Sequence, residues 1–489
     1  MANRRPNFLL IMTDQQRYDM LNATVGGPCR SPGLDELART GVTFTEARTP
    51  CALCTPARAS LFTGLYPHNH GLLNNCDMFS AVHRNMPHRE RFLHLHLAAA
   101  GYNLGFFGKW HVDTDYTPLD EGFEGVSVPA YGLDASPGYG FRSYPMPAYD
   151  DYLRRRGLTQ PEFHPTVTTD AGKELAGYID DPLEASVPFF LSEEAISYMR
   201  EKEKGESPFF ATVQFWGPHE VAKPSKSYLD QYTLEEVPIW ENYEDDLSER
   251  PAQYLRHRDE FECWYYGASE LGPARWREAT RAYFAYSTMI DDQILRLLRS
   301  LEELGIAENT VVLYTSDHGN YSGARGGLFD KGVGMFEDIY RVPMFLRWPG
   351  VTGPRRQEQL VSVMDLMPTV LDIAGAELPE GLDGESLVPI LREPCNPGRE
   401  EFVAEDHGTY YLHSQRMIVH NGYKYVFTPY DSDELYNLNE DPQELRNLIG
   451  RPEEAATLRE LRRRLIARTR ESNDPLSAVI EGFTWRYAE

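Results

Sequence analysis

No stretch of this sequence is apolar for long enough to cross a bilayer. The longest such run near the start, Phe8 to Met12, is far short of the ~20 residues that a spanning helix requires. No apolar segment of secretory-leader type follows Arg4 and Arg5, so neither leader nor anchor is expected, and the expected location is cytoplasmic with no membrane partner. Internal repeats, Gly/Ser linkers and blocks of like charge are also missing. The 489 residues, about three times the ~150 typical of one domain, are therefore expected to form one large domain with an appendage. Cysteine is scarce: six residues (Cys29, Cys51, Cys54, Cys76, Cys263, Cys395) make no disulfide framework, and free thiols are expected. Cys51 and Cys54 form a lone CxxC, without the second CxxC or HxxxH that would complete a zinc site. Basic residues are the minority. Against 74 Asp and Glu stand 48 Lys and Arg, and a net charge of −26 repels a phosphate backbone and argues against nucleic acid as a partner. Any anionic substrate must then be drawn by a local basic pocket.

What is present is an ordinary globular composition, 41% hydrophobic and 25% charged, enough to bury a substantial core. Residues 6–14 read as a strand buried on both faces, the first of a parallel sheet. Residues 102–107, 208–214 and 310–314 read as further strands. Residues 34–40, 57–63 and 93–100 read as short helices, and Ile290, Ile294, Leu297, Leu298, Leu301 and Leu304 repeat at helical spacing up to Gly305. Four strands thus lead into Asp14, Lys109 and His111, His219, and Asp317 with His318. Open parallel α/β sheets carry their sites at strand carboxyl ends, and four such deliveries together point to one centre. Two long irregular stretches, 126–183 and 221–275, are rich in aromatics and are expected to shape a substrate mouth. After a Pro/Gly-rich segment at 377–399, short strands at 402–403, 416–420 and 424–427 and a helix at 452–469 form a small β-rich appendage. The tail 476–487, with Ile480, Phe483 and Trp485, is expected to pack on its own core or on a neighbouring subunit of a homo-oligomer.

Around Cys54 the chain reads Cys51-Ala-Leu-Cys54-Thr55-Pro56-Ala57-Arg58, followed by Thr63-Gly64. Pro56 reads as the first residue of a helix, which puts Cys54 and Thr55 just ahead of a helix amino end. The helix dipole and unpaired N–H groups favour an anion there, and Arg58 adds positive charge one turn on.

Cys54-Thr55-Pro56-Ala57-Arg58 with Thr63-Gly64 resembles the sulfatase signature, C-x-P-[SA]-R followed by T-G, of the alkaline-phosphatase-like superfamily. The resemblance runs through residues 7–15, Gly108-Lys109-Trp110-His111, Pro218-His219, Ser316-Asp317-His318-Gly319, Lys331 and residues 434–442. It implies an α/β fold: a large, mostly parallel mixed sheet sandwiched by helices at 1–395, and a smaller C-terminal α+β subdomain with an antiparallel sheet at 396–489. It further implies that a maturation enzyme converts Cys54 to formylglycine, whose hydrate attacks sulfur. Asp14, Gln15, Asp317, His318 and the formylglycine oxygen of Cys54 would ligate one divalent metal ion. Hard oxygen donors favour Ca²⁺, with Mg²⁺ as an alternative. Many relatives carry Asp where Gln15 stands and Asn where His318 stands, so this shell is less anionic and its imidazole tilts toward Mn²⁺. By the same resemblance Arg58, Lys109 and Lys331 clamp the sulfuryl oxygens, His111 removes the second hydroxyl proton, and His219 or Lys331 protonates the leaving alcohol.

The expected activity is hydrolysis of a small-molecule or saccharide sulfate monoester, arylsulfatase-like. The alternative on the same machinery is a phosphonate monoester or phosphodiester hydrolase, although Gly108-Lys109-Trp110-His111 resembles the sulfatases more closely. From other classes come an inactive anion- or metal-binding module, and a cysteine hydrolase pairing Cys54 with His111, which gives the carboxylates no task. His68, His70, His83, His88, His94 and His96 are expected to be structural, with His70, Asn74 and Asn75 close enough in sequence to Cys54 to line its pocket.

Overall fold

The computed structural model describes residues 5–128, 146–262 and 267–484. Its strands are β1 (Asn7–Asp14), β2 (Val42–Arg48), β3 (Asn103–Lys109), β4 (Glu124–Val128), β5 (Phe163–Thr168), β6 (Glu174–Ile179) and β7 (Phe209–Pro218). They continue with β8 (Thr310–Ser316), β9 (Met344–Arg347), β10 (Arg355–Ser362), β11 (Glu401–Asp406), β12 (Gln415–His420), β13 (Tyr423–Phe427) and β14 (Glu434–Asn437). Eight of them form one sheet in the order β10-β2-β9-β8-β1-β7-β3-β4, parallel throughout except for β9, which runs antiparallel to both its neighbours. The unbroken apolar run of β1 follows from its central position, since every residue of the strand is buried. Alternate side chains then enter two separate cores. Leu9 and Ile11 pack with Leu37, Phe190, Ile290 and Leu297 from the helices Pro32–Thr40, Val187–Lys202 and Pro273–Glu303. Phe8, Leu10 and Met12 pack with Phe62, Leu97 and Met367 from the helices Cys54–Thr63, Leu93–Ala99 and Leu366–Ala374.

The C-terminal sheet β11-β12-β13-β14 is antiparallel throughout. One face carries Ile418, Tyr425 and Phe427 against Leu461 and Leu465 of the helix Ala455–Glu471. The other packs on Phe336, Ile339 and Tyr340. The tail folds back on this same sheet: Ile480 is fully buried and the Phe483 ring lies 6.3 Å from Phe427. Trp485 and Tyr487 lie outside the described residues, as does Cys263, and the described cysteines are free thiols. Among the described residues no helix is long and apolar enough to cross a membrane.

Two expectations are corrected. The helix after Cys51 begins at Cys54 itself, with Leu53 as its cap, so Pro56 is the third helical residue and Cys54 the first. Proline fits there because the first four N–H groups of a helix have no intrahelical acceptor to lose. The stretch 126–183 is not irregular where it is described: it holds the helix Pro147–Arg156 and the antiparallel ribbon β5–β6, whose Val167, Leu175 and Ala176 join the core of the long helix. Pro165 inside β5 hides the strand from a reading by alternation. Residues 129–145 of that stretch lie outside the described residues. Among its described residues the stretch 221–275 holds the short helices Lys226–Leu229 and Ala252–Arg256 and a π-helix at His257–Glu262 before the long helix starts at Pro273.

The C-terminal sheet is latched to the turn that follows the Cys54 helix. His68 Nδ1 bonds Glu405 of β11, and its Nε2 donates to the Ser472 carbonyl at 2.9 Å. Burial works against a charge on this ring, but Glu405 more than offsets it and pushes the His68 pKa up to about 9 from an ordinary 6.5. A pKa raised on folding stabilises fully below the unfolded value and is lost as pH climbs through the folded one. The melting temperature is therefore expected to fall between pH 6.5 and about 9, and His68→Gln to flatten that slope. Thermal melts of both proteins across this window check it.

Candidate active site

Strands β8, β1, β7 and β3 are neighbours, and their carboxyl ends bring Asp317 and His318, Asp14 and Gln15, His219, and Lys109 with His111 to one edge of the sheet. The chain must bend sharply there. Pairing of β1 with β7 shifts register between Met12 and Asp14, and Gln15 (φ 66°) and His111 (φ 55°) both adopt the left-handed conformation. The Gln15 backbone is held from both sides, its N–H donating to Asp317 Oδ1 at 3.0 Å and its carbonyl accepting from the Tyr283 hydroxyl at 2.6 Å. Gly108 (φ 125°) has no substitute, since a Cβ there would lie 1.9 Å from the Gln214 carbonyl oxygen.

Into this edge the Cys54 helix inserts its first turn, buried along its whole length. The Cys54 Sγ lies 3.3 Å from His318 Nε2 and 3.8 Å from Asp14 Oδ1. His318 Nε2 is 3.8 Å from Asp14 Oδ1 and 3.7 Å from Asp317 Oδ1, and one ligand atom from each of the four residues falls within 4.8 Å of the others. His318 Nδ1 donates to the Gly319 carbonyl at 2.8 Å, which leaves the Nε2 lone pair facing the carboxylates, and burial lowers its pKa. Gln15 donates Nε2 to Asp330 Oδ1 at 2.6 Å, while its buried Oε1 has no hydrogen-bond partner. An unpartnered amide oxygen, two carboxylate oxygens and an imidazole lone pair form an acceptor set that fits a divalent cation.

Cations surround the carboxylates. Lys109 Nζ donates to Asp14 Oδ2 at 2.5 Å and sits 4.0 Å from the Trp216 ring centroid. Burial opposes ionisation of Asp14, yet its cationic neighbours, Lys109 foremost, hold the carboxyl well below its usual range. Arg58, expected among the clamps on the substrate oxygens, instead spends its fork on the protein. Nη2 donates to Asp14 Oδ2 at 2.9 Å, Nε to Asp317 Oδ2 at 3.0 Å, and Nη1 to the Lys109 carbonyl at 2.9 Å and Gln214 Oε1 at 3.2 Å. His111 Nε2 bonds Asp77 Oδ1 at 3.0 Å and its ring also bonds the Cys54 thiol; burial lowers its pKa, but Asp77 outweighs this and raises it. Across the site Lys331 Nζ donates to Asp330 Oδ1 at 2.7 Å and to His219 Nε2 at 3.0 Å. His219 Nδ1 donates to the Glu220 carbonyl at 2.8 Å. Burial and the neighbouring Lys331 hold His219 well below its usual range, whereas Asp330 keeps Lys331 well above its own in spite of burial.

The structure therefore gathers every candidate residue into one buried cluster. Asp77, Asp330, Gln214 and Trp216 belong to it as well and were not singled out from sequence; Asp330, adjacent to Lys331, offered only that adjacency as a signal. Asn75 accepts the Thr55 N–H at 3.0 Å and so positions the Cys54 helix. Asn74 bonds the His407 and Gly408 carbonyls, and His70 pairs with Ser60 and the Leu72 N–H, its pKa lowered by burial to about 3; both are framework residues.

Comparison with known proteins agrees with this geometry. The Sulfatase family model matches residues 6–376, and that of the N-sulphoglucosamine sulphohydrolase C-terminal region matches residues 324–471. The sulfatase YidJ of Escherichia coli is 32% identical over 453 residues, covering 91% of this chain and 83% of its own length. An ulvan-active sulfatase of Formosa agariphila is 30% identical over 485 residues, covering 96% of this chain and 82% of its own. Among solved structures, a phosphonate monoester hydrolase of Agrobacterium radiobacter shares the fold with a TM-score of 0.78 at 24% identity, over 96% of each chain.

The close approach at Gly108 makes a test of how this edge is built. Gly108→Ala is expected to lower the unfolding free energy by roughly 1–3 kcal/mol, as overpacking does. An unchanged urea midpoint would show that the β3–β7 contact does not need the missing Cβ.

Proposed function

The chain belongs to the sulfatase family and is a sulfuric ester hydrolase, and from that premise we propose that it cleaves a sulfate monoester, arylsulfatase-like in chemistry, using formylglycine derived from Cys54 and one divalent cation. The observation that carries this reading is the seating of Cys54 at the head of a buried helix, against an acceptor-only cluster ringed by Arg58, Lys109 and Lys331. Formylglycine at position 54 would supply an aldehyde hydrate, one hydroxyl of which is a nucleophile and the other a source of a second proton. Asp14, Gln15, Asp317 and His318 would hold a cation, which would supply Lewis acidity; the oxygen donors suit Ca²⁺ and the imidazole Mn²⁺.

The remaining work falls to the chain. Arg58 holds both carboxylates by their Oδ2 atoms, so that each Oδ1 faces the cluster. Lys109 and Lys331 attract and neutralise the oxygens of the anionic head. His111, fixed through Nε2 by Asp77, takes a proton from the group at Cys54. Lys331 Nζ protonates the leaving alcohol; His219 Nε2 accepts from Lys331 and so carries no proton to give. Because Cys54 is 1% exposed, the maturation enzyme must reach it before the chain closes around it.

A second reading, hydrolysis of a phosphonate monoester or phosphodiester, is favoured by the Gln15 and His318 ligands and by the fold shared with a phosphonate monoester hydrolase. The similarity to an ulvan-active sulfatase supports a saccharide sulfate as the physiological ester. Paired assays on sulfate and phosphonate esters of one aryl alcohol rank the two chemistries, and a higher phosphonate rate would make the second reading the first.

Peptide mass spectrometry across Cys54, on protein made with and without a maturation enzyme, should show an aldehyde whose occupancy tracks activity. A fully active protein with an intact thiol would remove the mechanism. Lys331→Ala is expected to lower kcat by roughly 100- to 10,000-fold on esters of alkyl alcohols, the range for loss of a general acid. On nitrophenyl esters, whose leaving group needs little proton transfer, the loss should be much smaller.

A further inference from the structure

One buried carboxylate stands between the two halves of the site. Asp330 sits at the turn before Lys331 in a left-handed conformation (φ 58°), and its side chain receives three groups. Gln15 Nε2 donates to Oδ1 at 2.6 Å, Lys331 Nζ donates to the same atom at 2.7 Å, and the Glu220 side chain forms the third hydrogen bond. We propose that Asp330 is a positioning residue that sets which end of the Gln15 amide faces the cation.

The argument rests on what each group can do. A glutamine amide has one acceptor end and one donor end, nearly equal in shape, and which end points where is decided by its neighbours. A carboxylate bonded as Asp330 is to Lys331 and Gln15 only accepts, so it takes the NH₂ end and turns Oε1 the other way, where that oxygen lies buried without a partner. The backbone cannot undo this choice. Gln15 is pinned through its N–H to Asp317 Oδ1 and through its carbonyl to Tyr283, and Asp330 is itself braced by the N–H of Tyr321, which donates to its carbonyl at 3.0 Å. The same oxygen that orients Gln15 also holds the Lys331 ammonium beside His219, so one carboxylate aligns a metal ligand and the proton donor across the cleft from it.

An acidic ligand at position 15 would need no such orientation, because both carboxylate oxygens are donors to a metal. The glutamine is therefore what makes Asp330 necessary, and the two can be exchanged. In Asp330→Asn the amide at 330 can offer its NH₂ to Gln15 Oε1, which turns the Gln15 NH₂ toward the cation. In the double variant Gln15→Glu with Asp330→Asn the charge moves across the hydrogen bond from 330 to 15: the new carboxylate at 15 accepts from the new amide and keeps an oxygen for the cation, and the total charge is unchanged.

This inference depends on Gln15 being a ligand of a bound cation, as proposed above, and the experiment separates the two claims. Full-length chains stripped with a chelator are titrated with Mn²⁺, and free Mn²⁺ is read by electron paramagnetic resonance. Wild-type protein should bind one equivalent. Asp330→Asn should weaken binding by roughly 10- to 100-fold, the usual cost of losing a partner of a metal ligand. The double variant should return to within about threefold of wild type, a rescue that general loosening of the fold would not produce. If Asp330→Asn proves unfolded by circular dichroism, the folded double variant carries the test on its own: tight binding supports the exchange and weak binding overturns it. Unchanged affinity in folded Asp330→Asn overturns it too, as does a double variant no better than the single. If instead wild type binds no Mn²⁺ or Ca²⁺, or Gln15→Ala binds as tightly as wild type, the cation reading itself fails and this inference falls with it.

Discussion

Two carboxylates buried beside one another are the constraint on which the rest of this protein depends. Asp14 and Asp317 are fully excluded from water at the ends of adjacent parallel strands, where neither can remain ionised alone. Arg58 resolves this by bridging them, Nη2 to Asp14 and Nε to Asp317, and Lys109 adds a second cation on Asp14. The bridge also assigns the oxygens. With both Oδ2 atoms held by the guanidinium, both Oδ1 atoms are left to Gln15, His318 and Cys54. Arg58 lies one helical turn past Cys54, so the contact that neutralises the carboxylates also fixes the depth and rotation of the helix carrying Cys54. Sheet, Cys54 helix and candidate cation site are thereby set by one interaction.

Much of this was legible in the sequence because the central strands are so fully buried. An unbroken apolar run ending in an ionisable residue has few interpretations in a parallel sheet, and β1 reads that way; β3, β7 and β8 read as strands that lead into ionisable residues. Strands nearer the edge carry no such mark. β10 (Arg355–Ser362) alternates exposed Arg356 and Glu358 with buried Gln357, and β9 has four residues, too few for a pattern to repeat. The β5–β6 ribbon is marked neither by a continuous run nor by clean alternation, because its apolar residues pack on a helix over only part of its length.

The site residues split along the same line. Those that a strand end or the Cys54 helix delivers were identifiable one by one; those that act through another side chain were not. Asp77 reaches His111 across 34 positions of sequence, and Asp330 reaches Gln15 across 315, distances over which no local pattern operates. The protein partners of Arg58 were hidden for a related reason. A positive charge one turn into a helix that starts at Cys54 reads as an anion clamp, and only the structure shows that the nearest anions are the protein's own.

The charge pattern of the cluster bears equally on both proposed chemistries. Three carboxylates, Asp14, Asp317 and Asp330, are matched by three cations, Arg58, Lys109 and Lys331, while His219 and His318 are held toward their neutral forms and Asp77 pairs with His111. Cationic side chains thus offset the buried carboxylates of the site, in contrast to the strongly acidic molecule around it. With glutamine rather than a carboxylate at position 15, a divalent cation would leave the centre positive and receptive to a monoanion. A sulfate monoester, a phosphonate monoester and a phosphodiester are all monoanions about a tetrahedral centre, so electrostatics alone separates none of them from the others. Discrimination must then come from the shape and bonding of the groups around the leaving alcohol, which by the proposed roles include Lys331 and His219; the His219 ring lies 5.8 Å from that of Trp216.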